Sequence, residues 1–210
     1  MADVFLVFTI ARLGGENLWN QCTRGSTESD CVHVSVLFGR GMEYSASLNE
    51  GMNWVHTPSV RARSLDGSER DRKYYLVRVP ASTEMDMRRY FDGLVARRVP
   101  YDRRMAALIC LSSWVAPPWL VGATCGVFGA ETLTCSRAVY NALRHETVAL
   151  VEGPEQPAIS PGDLLDIVQN DRERFTEVGV ATVNASLKSG AEARAEMAAG
   201  CVTYRGGDTM

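Results

Sequence analysis

Histidine is scarce in this chain: three residues, His33, His56 and His145, in 210. Any imidazole chemistry therefore has only three places to stand. Lysine is scarce too, so arginine carries nearly all the positive charge. The arginines are scattered rather than clustered, and the net charge is −3. A balance that close to neutral supplies no field to draw the chain to nucleic acid or to acidic membranes. No G-x-x-x-x-G-K, G-x-G-x-x-G or H-E-x-x-H motif occurs, which leaves a kinase, a dinucleotide enzyme or a zincin without support and implies no cofactor. The six cysteines, at 22, 31, 110, 125, 135 and 201, include no C-x-x-C pair and match no zinc spacing, so no metal is expected. The opening residues lack the basic n-region and long apolar run of a secretory signal. Reduced thiols in a cytoplasmic setting are the expectation, and a disulfide-bonded extracellular protein is the alternative. Internal repeats and low-complexity tracts are absent.

What is present is the make-up of a soluble globular domain, 46% apolar and 22% charged. A chain of this length buries enough surface to fold without staples. Val4 to Thr9 is almost wholly apolar and reads as a buried strand. Residues 14–31 read as a loop, with a helical turn around Leu18 and Trp19. Val32 to Phe38 is β-branched and aromatic, ends at Gly39-Arg40-Gly41, and is followed by a second strand over 42–46, which makes a hairpin. Further strands are predicted at Asn53 to His56 and Lys73 to Val79, with a turn at Asp66-Gly67-Ser68 between them. A helix over 83–97 follows, with Ser82 or Thr83 as N-cap and an apolar stripe of Met87, Phe91, Leu94 and Val95.

From Ala106 to Ala130 there is no charged residue, a length that could span a bilayer. The Pro117-Pro118 pair in its middle would break a spanning helix. Two buried segments about a turn fit better, with peripheral membrane contact through 106–130 kept open. Next come a helix over 135–146 and another from Pro161 to Gln169, capped by Ser160 with Asp163 at its third position. Beyond Asn170 the pattern weakens, and residues 186–200 show little apolar stripe. The expected fold class is α+β, a small antiparallel β-sheet packed against helices.

Two positions carry chemistry. His33 lies inside an apolar strand, on the face of Ser35 and Leu37; taken alone it reads first as a core histidine bonded to a backbone carbonyl. Cys135 stands where a helix begins. There, unpaired N–H groups and the macrodipole stabilise a thiolate and can receive an oxyanion. Taken alone it reads as a buried thiol. Cys110 and Cys125 read as core, and Cys22, Cys31 and Cys201 have no clear base partner. His56 reads as an edge or loop histidine that could serve as an alternative base, and His145 as a solvated histidine at a helix C-terminus.

In order along the chain, four segments resemble the permuted NlpC/P60-type cysteine hydrolases. They are His33 to Gly39 with Glu43 to Ser47, Val99-Pro100-Tyr101-Asp102, Thr134-Cys135-Ser136-Arg137-Ala138-Val139, and Ile159 to Leu164. The resemblance runs from about residue 4 to 170. It implies a circularly permuted papain-like fold with a barrel-like sheet, a catalytic domain over 1–170, and a C-terminal extension over 171–210, partly helical or loosely ordered. It implies Cys135 as nucleophile, His33 as base and Glu43 as the residue that orients the ring, with Tyr101 and Thr134 beside the substrate or oxyanion. Arg137 and Thr134 depart from the pattern, since many relatives have Glu and an aromatic there. The implied activity is cleavage of an amide bond, in a peptide or an N-acyl compound, through a thioester. Alternatives are an acyltransferase or phospholipase acting on a lipid ester with the same residues, as in the related lecithin:retinol acyltransferase-like group, and an inactive binding domain. The resemblance leaves substrate identity and oligomeric state open.

Overall fold

The computed structural model describes residues 1–11, 29–47, 50–60, 70–104, 107, 133–153 and 159–203. In chain order these form β1 (Ala2–Ala11), β2 (Cys31–Phe38), β3 (Met42–Ser47), β4 (Gly51–His56), β5 (Arg70–Val79), α1 (Ala81–Ala96), α2 (Cys135–Arg144), α3 (Pro161–Asn170), β6 (Thr176–Val178) and α4 (Val180–Thr203). The strands make one antiparallel sheet in the order β4-β3-β2-β1-β5-β6. The protein is thus α+β, and its sheet is open, with β4 and β6 at the two edges rather than closed on itself.

β1 is central, paired along its length with β5 on one side and β2 on the other. Both of its faces are covered, which is why it reads as an unbroken apolar run. Val4, Leu6 and Phe8 join the larger core with Met87 and Phe91 of α1, Ala138, Val139 and Leu143 of α2, and Leu164 and Val168 of α3. Phe5 and Val7 face the other way and meet Leu37, Tyr74, Leu76, and Val183 and Leu187 of α4. Each of the larger aliphatic and Phe side chains among these, withdrawn from water, contributes about 1.5–3 kcal/mol.

The glycine turn between β2 and β3 is as expected. Gly41 adopts φ 77° and donates its N–H to Phe38 O at 2.8 Å; a Cβ there would lie 2.9 Å from Thr57 O. Only glycine meets both demands without strain. Between β1 and β2 the register shifts: Thr9 pairs with His33 and Ile10 with Cys31, which leaves Val32 with no residue opposite. This bulge breaks the alternation, so Cys31 lies in the larger core with Val34 and Val36 although its number shares parity with His33.

Three expectations change. α1 begins at Ala81 with Pro80 at the N-cap position, so Ser82 and Thr83 lie in its first turn rather than capping it. Pro80 supplies the extended backbone of a cap with no N–H to satisfy, and its carbonyl accepts from Glu84 N at 3.1 Å. Residues 176–178 extend the sheet against β5, a strand too short to announce itself by periodicity. α4 then covers the smaller core. Its Asn184 exchanges two hydrogen bonds with the backbone of Val60 (2.7 and 3.1 Å), and Ser186 donates to Asp3 at 3.0 Å. The Leu18–Trp19 turn, the Asp66-Gly67-Ser68 turn, Cys22, Cys110 and Cys125 lie outside the described residues, as does the apolar stretch Ala106 to Ala130 apart from residue 107. Among the described residues no helix is long and apolar enough to cross a membrane.

Candidate active site

α2 owes its start to Thr134. The hydroxyl accepts the N–H of Arg137 at 3.3 Å, which caps one of the four donors a helix leaves open. A second anchor, which sequence reasoning passed over, is Ser136: its hydroxyl donates to Ile159 O at 2.6 Å and ties the start of α2 to the segment before α3. That segment is itself rigid, because Ser160 and Asp163 form the reciprocal capping box read from sequence (3.0 and 2.9 Å). Cys135 is therefore the first helical residue of a doubly held N-terminus, 3% exposed. Tyr101 pairs with Leu133, two residues before the cysteine; Leu133 N donates to Pro100 O at 3.3 Å and Asp102 N to Leu133 O at 3.1 Å. Tyr101 and Thr134 thus both stand at the approach to Cys135, with the Thr134 hydroxyl engaged on the helix.

His33 and Cys135 come together. The sulfur of Cys135 lies close enough to the His33 ring, and to the backbones of Val34 and Ser136, for each of them to act on its acidity. Burial by itself would raise the thiol's pKa. The charge of His33, its hydrogen bond, and the two backbone N–H groups outweigh that and hold Cys135 below the ordinary thiol value of 9.0. Burial likewise would lower the imidazole. The Cys135 sulfur, by charge and by hydrogen bond, and then the Glu43 carboxylate raise His33 above its ordinary 6.5, with Arg72 opposing. Opposite shifts in two touching groups favour a thiolate–imidazolium pair.

The third position differs from the expectation. Glu43 is buried, 8% exposed, but its oxygens accept from Ser35 Oγ at 2.6 Å and Thr57 Oγ1 at 3.0 Å, with Arg72 at 3.9 Å. The partner of His33 Nε2 is instead Ser45 Oγ, at 2.8 Å. Glu43 acts on the ring through its charge alone.

The other candidates stay apart. His56 is exposed on the edge strand β4, and His145 is exposed at the end of α2, where Nδ1 lies 3.0 Å from Thr147 Oγ1. Cys31 is buried, and among the described residues its sulfur meets the backbone of His33 rather than the ring; its thiol is pushed up to about 12 by burial and by the nearby Cys135 charge. Among the described residues no group of His, Cys, Asp or Glu side chains stands close enough together to hold a metal ion. Comparison with known proteins brings no match: no family model, no curated protein and no solved structure resembles this chain closely enough to identify it.

Proposed function

We propose that this protein is a cysteine hydrolase with Cys135 as nucleophile and His33 as general base, on a permuted papain-like (NlpC/P60-type) scaffold whose base precedes its nucleophile in the chain. The observation that carries the reading is the contact between a helix-N-terminal thiol and an imidazole whose proton affinities are displaced in opposite directions. Such a pair is the minimum equipment for nucleophilic acyl transfer.

The chemistry follows from the geometry. His33 takes the Cys135 proton, and the thiolate adds to a carbonyl carbon. The oxyanion that forms faces the N–H groups at the start of α2, the positive end of the helix. The imidazolium returns the proton to the leaving amine, the C–N bond breaks, and a thioester remains. Water, deprotonated by His33, attacks the thioester; the C–S bond breaks and the carboxylic acid departs. An amide in a peptide or N-acyl compound is the proposed substrate class. A cytoplasmic location, where thiols stay reduced, is the proposed setting.

The test is acylation. An activated acyl ester should add one acyl group to Cys135, seen by intact mass and peptide mapping. Cys135→Ala should abolish both the adduct and the hydrolysis of amide substrates. Acylation elsewhere, or turnover that survives in the alanine variant, would overturn the reading. A lipid ester turned over in preference to every amide would instead favour the acyltransferase or phospholipase alternative, to which the charge-free stretch Ala106 to Ala130 points.

A further inference from the structure

The register of the β2–β3 hairpin decides which side chain can reach the catalytic ring. Leu37 stands opposite Glu43, Val36 opposite Tyr44 and Phe38 opposite Met42. On the face that carries His33, the contacts then run diagonally, each β2 side chain leaning one pair back toward the turn. Ser35 reaches Glu43 at 2.6 Å, and His33 reaches Ser45 at 2.8 Å. Ser35 therefore stands between His33 and the carboxylate. Thr57 takes the other carboxylate oxygen, and Arg72 approaches it from β5.

We propose that Ser45, rather than Glu43, is the positioning residue of the His33 ring, and that Glu43 serves the ring only as a fixed negative charge. The inference rests on the Cys135–His33 reading. With Nε2 turned to Ser45, Nδ1 is the nitrogen left for the sulfur. To accept the thiol proton on Nδ1, the neutral ring must carry its proton on Nε2, and Ser45 Oγ is placed to accept that N–H. When the ring becomes imidazolium, Nε2–H still donates to the same oxygen. One acceptor thus serves both states, and nothing need rotate during proton transfer. The ring is held by a neutral group, and the balancing charge is supplied one side chain further along by Glu43, pinned by two hydroxyls and tempered by Arg72. The charged or titratable groups acting on the ring are thus Cys135 from α2, Glu43 from β3 and Arg72 from β5.

The experiment compares Ser45→Ala, Ser45→Thr and Glu43→Gln in the full chain by two readouts. The first is the pH profile of Cys135 alkylation by iodoacetamide, with each cysteine mapped by mass spectrometry. The second is the tautomer of the neutral His33 ring, read from its ring 15N chemical shifts at a pH above its raised pKa, where the imidazolium has lost its proton. Ser45→Ala should slow Cys135 at neutral pH on the order of tenfold to a hundredfold and let the neutral ring populate both tautomers. Ser45→Thr keeps a hydroxyl on a strand-favouring side chain and should restore both. Glu43→Gln should leave the tautomer intact and move the alkylation profile by less than about one pH unit. The inference is overturned if Ser45→Ala leaves the tautomer unchanged, or if Glu43→Gln scrambles it. Should wild-type Cys135 label no faster than Cys31, the hydrolase reading fails, and the 15N measurement still decides for or against Ser45.

Discussion

The start of β2 and the start of α2 each carry a buried thiol, and the two thiols are displaced in opposite directions. Cys31, wholly withdrawn from solvent, is pushed up to about 12, mainly by burial; Cys135, almost as fully buried, is lowered. Both lie near His33, but Cys31 meets only its backbone, whereas Cys135 meets the ring. Burial therefore sets the default for a thiol in this core, and it makes the group inert. What converts Cys135 is a cation in contact and two backbone N–H groups, one from its own helix and one from the neighbouring strand. The lowered pKa of Cys135 thus draws on the junction of two elements, the start of α2 and the strand that carries His33.

Removing the cation should collapse the difference. In His33→Ala, alkylation of Cys135 at neutral pH should fall by on the order of a hundredfold or more, bringing it close to Cys31. If Cys135 kept its lead, the helix N-terminus alone would account for its reactivity and the pair would be dispensable. In wild type the profile has a definite sign. The thiolate of Cys135 should be present below pH 9.0, because its pKa is lowered. Hydrolysis should decline as pH rises through the elevated His33 value, above 6.5, since the imidazolium that protonates the leaving amine is lost. A bell whose acid limb lies at or above 9.0 would contradict the pairing.

Cys31 sharpens the comparison from the side of stability. Its native thiol keeps its proton up to about 12, while the unfolded chain releases it near 9.0. Between those values the unfolded state binds fewer protons, so stability should fall as pH rises through that window. Tyr44, Tyr74 and Tyr75, all raised above 10.0 chiefly by burial, add the same sign at higher pH. Denaturant midpoints taken at neutral pH and within the window should show the decline, and Cys31→Ala should flatten its first part. An alanine variant with the same pH dependence as wild type would assign the effect to the tyrosines.

The contrast between what was legible and what was not follows the same division between elements and junctions. The central strand, the glycine turn and the Ser160 capping box are local patterns, and each stands where its residues place it. The pairing of His33 with Cys135 was reachable only through the ordered likeness of four segments to the permuted NlpC/P60-type hydrolases; taken alone, the two read as a core histidine and a buried thiol. Ser45 was not reachable. In sequence it is one hydroxyl among Ser35, Ser45 and Ser47, and only the diagonal lean across the hairpin singles it out. Glu43 drew notice through the same resemblance, yet Ser35 takes its carboxylate and stands between it and the ring. α4 escaped notice for a related reason. Among the described side chains, Val180, Val183 and Leu187 in its first turns meet the smaller core, and in sequence the Ala- and Glu-rich remainder hides that stripe.

The smallest expected effect tests whether the helix start matters to the thiol beyond holding it in place. Thr134 caps α2 and Ser160 caps α3, by the same kind of bond to the third helical N–H. Replacing either by alanine should cost about 1 kcal/mol of stability, seen as a similar drop in denaturant midpoint. The two should part company at Cys135. Freed from its cap, the first turn of α2 would no longer hold the Ser136 N–H against the sulfur, so Thr134→Ala should slow Cys135 alkylation a few-fold and raise the pH at which it sets in. Ser160→Ala shares the Ser136–Ile159 tie with α2 but leaves that N–H in place, and should lower stability alone. Equal losses of reactivity in both variants would mean that general loosening slows the thiol; a loss confined to Thr134→Ala would mean that the backbone donors at the start of α2 stabilise the thiolate directly.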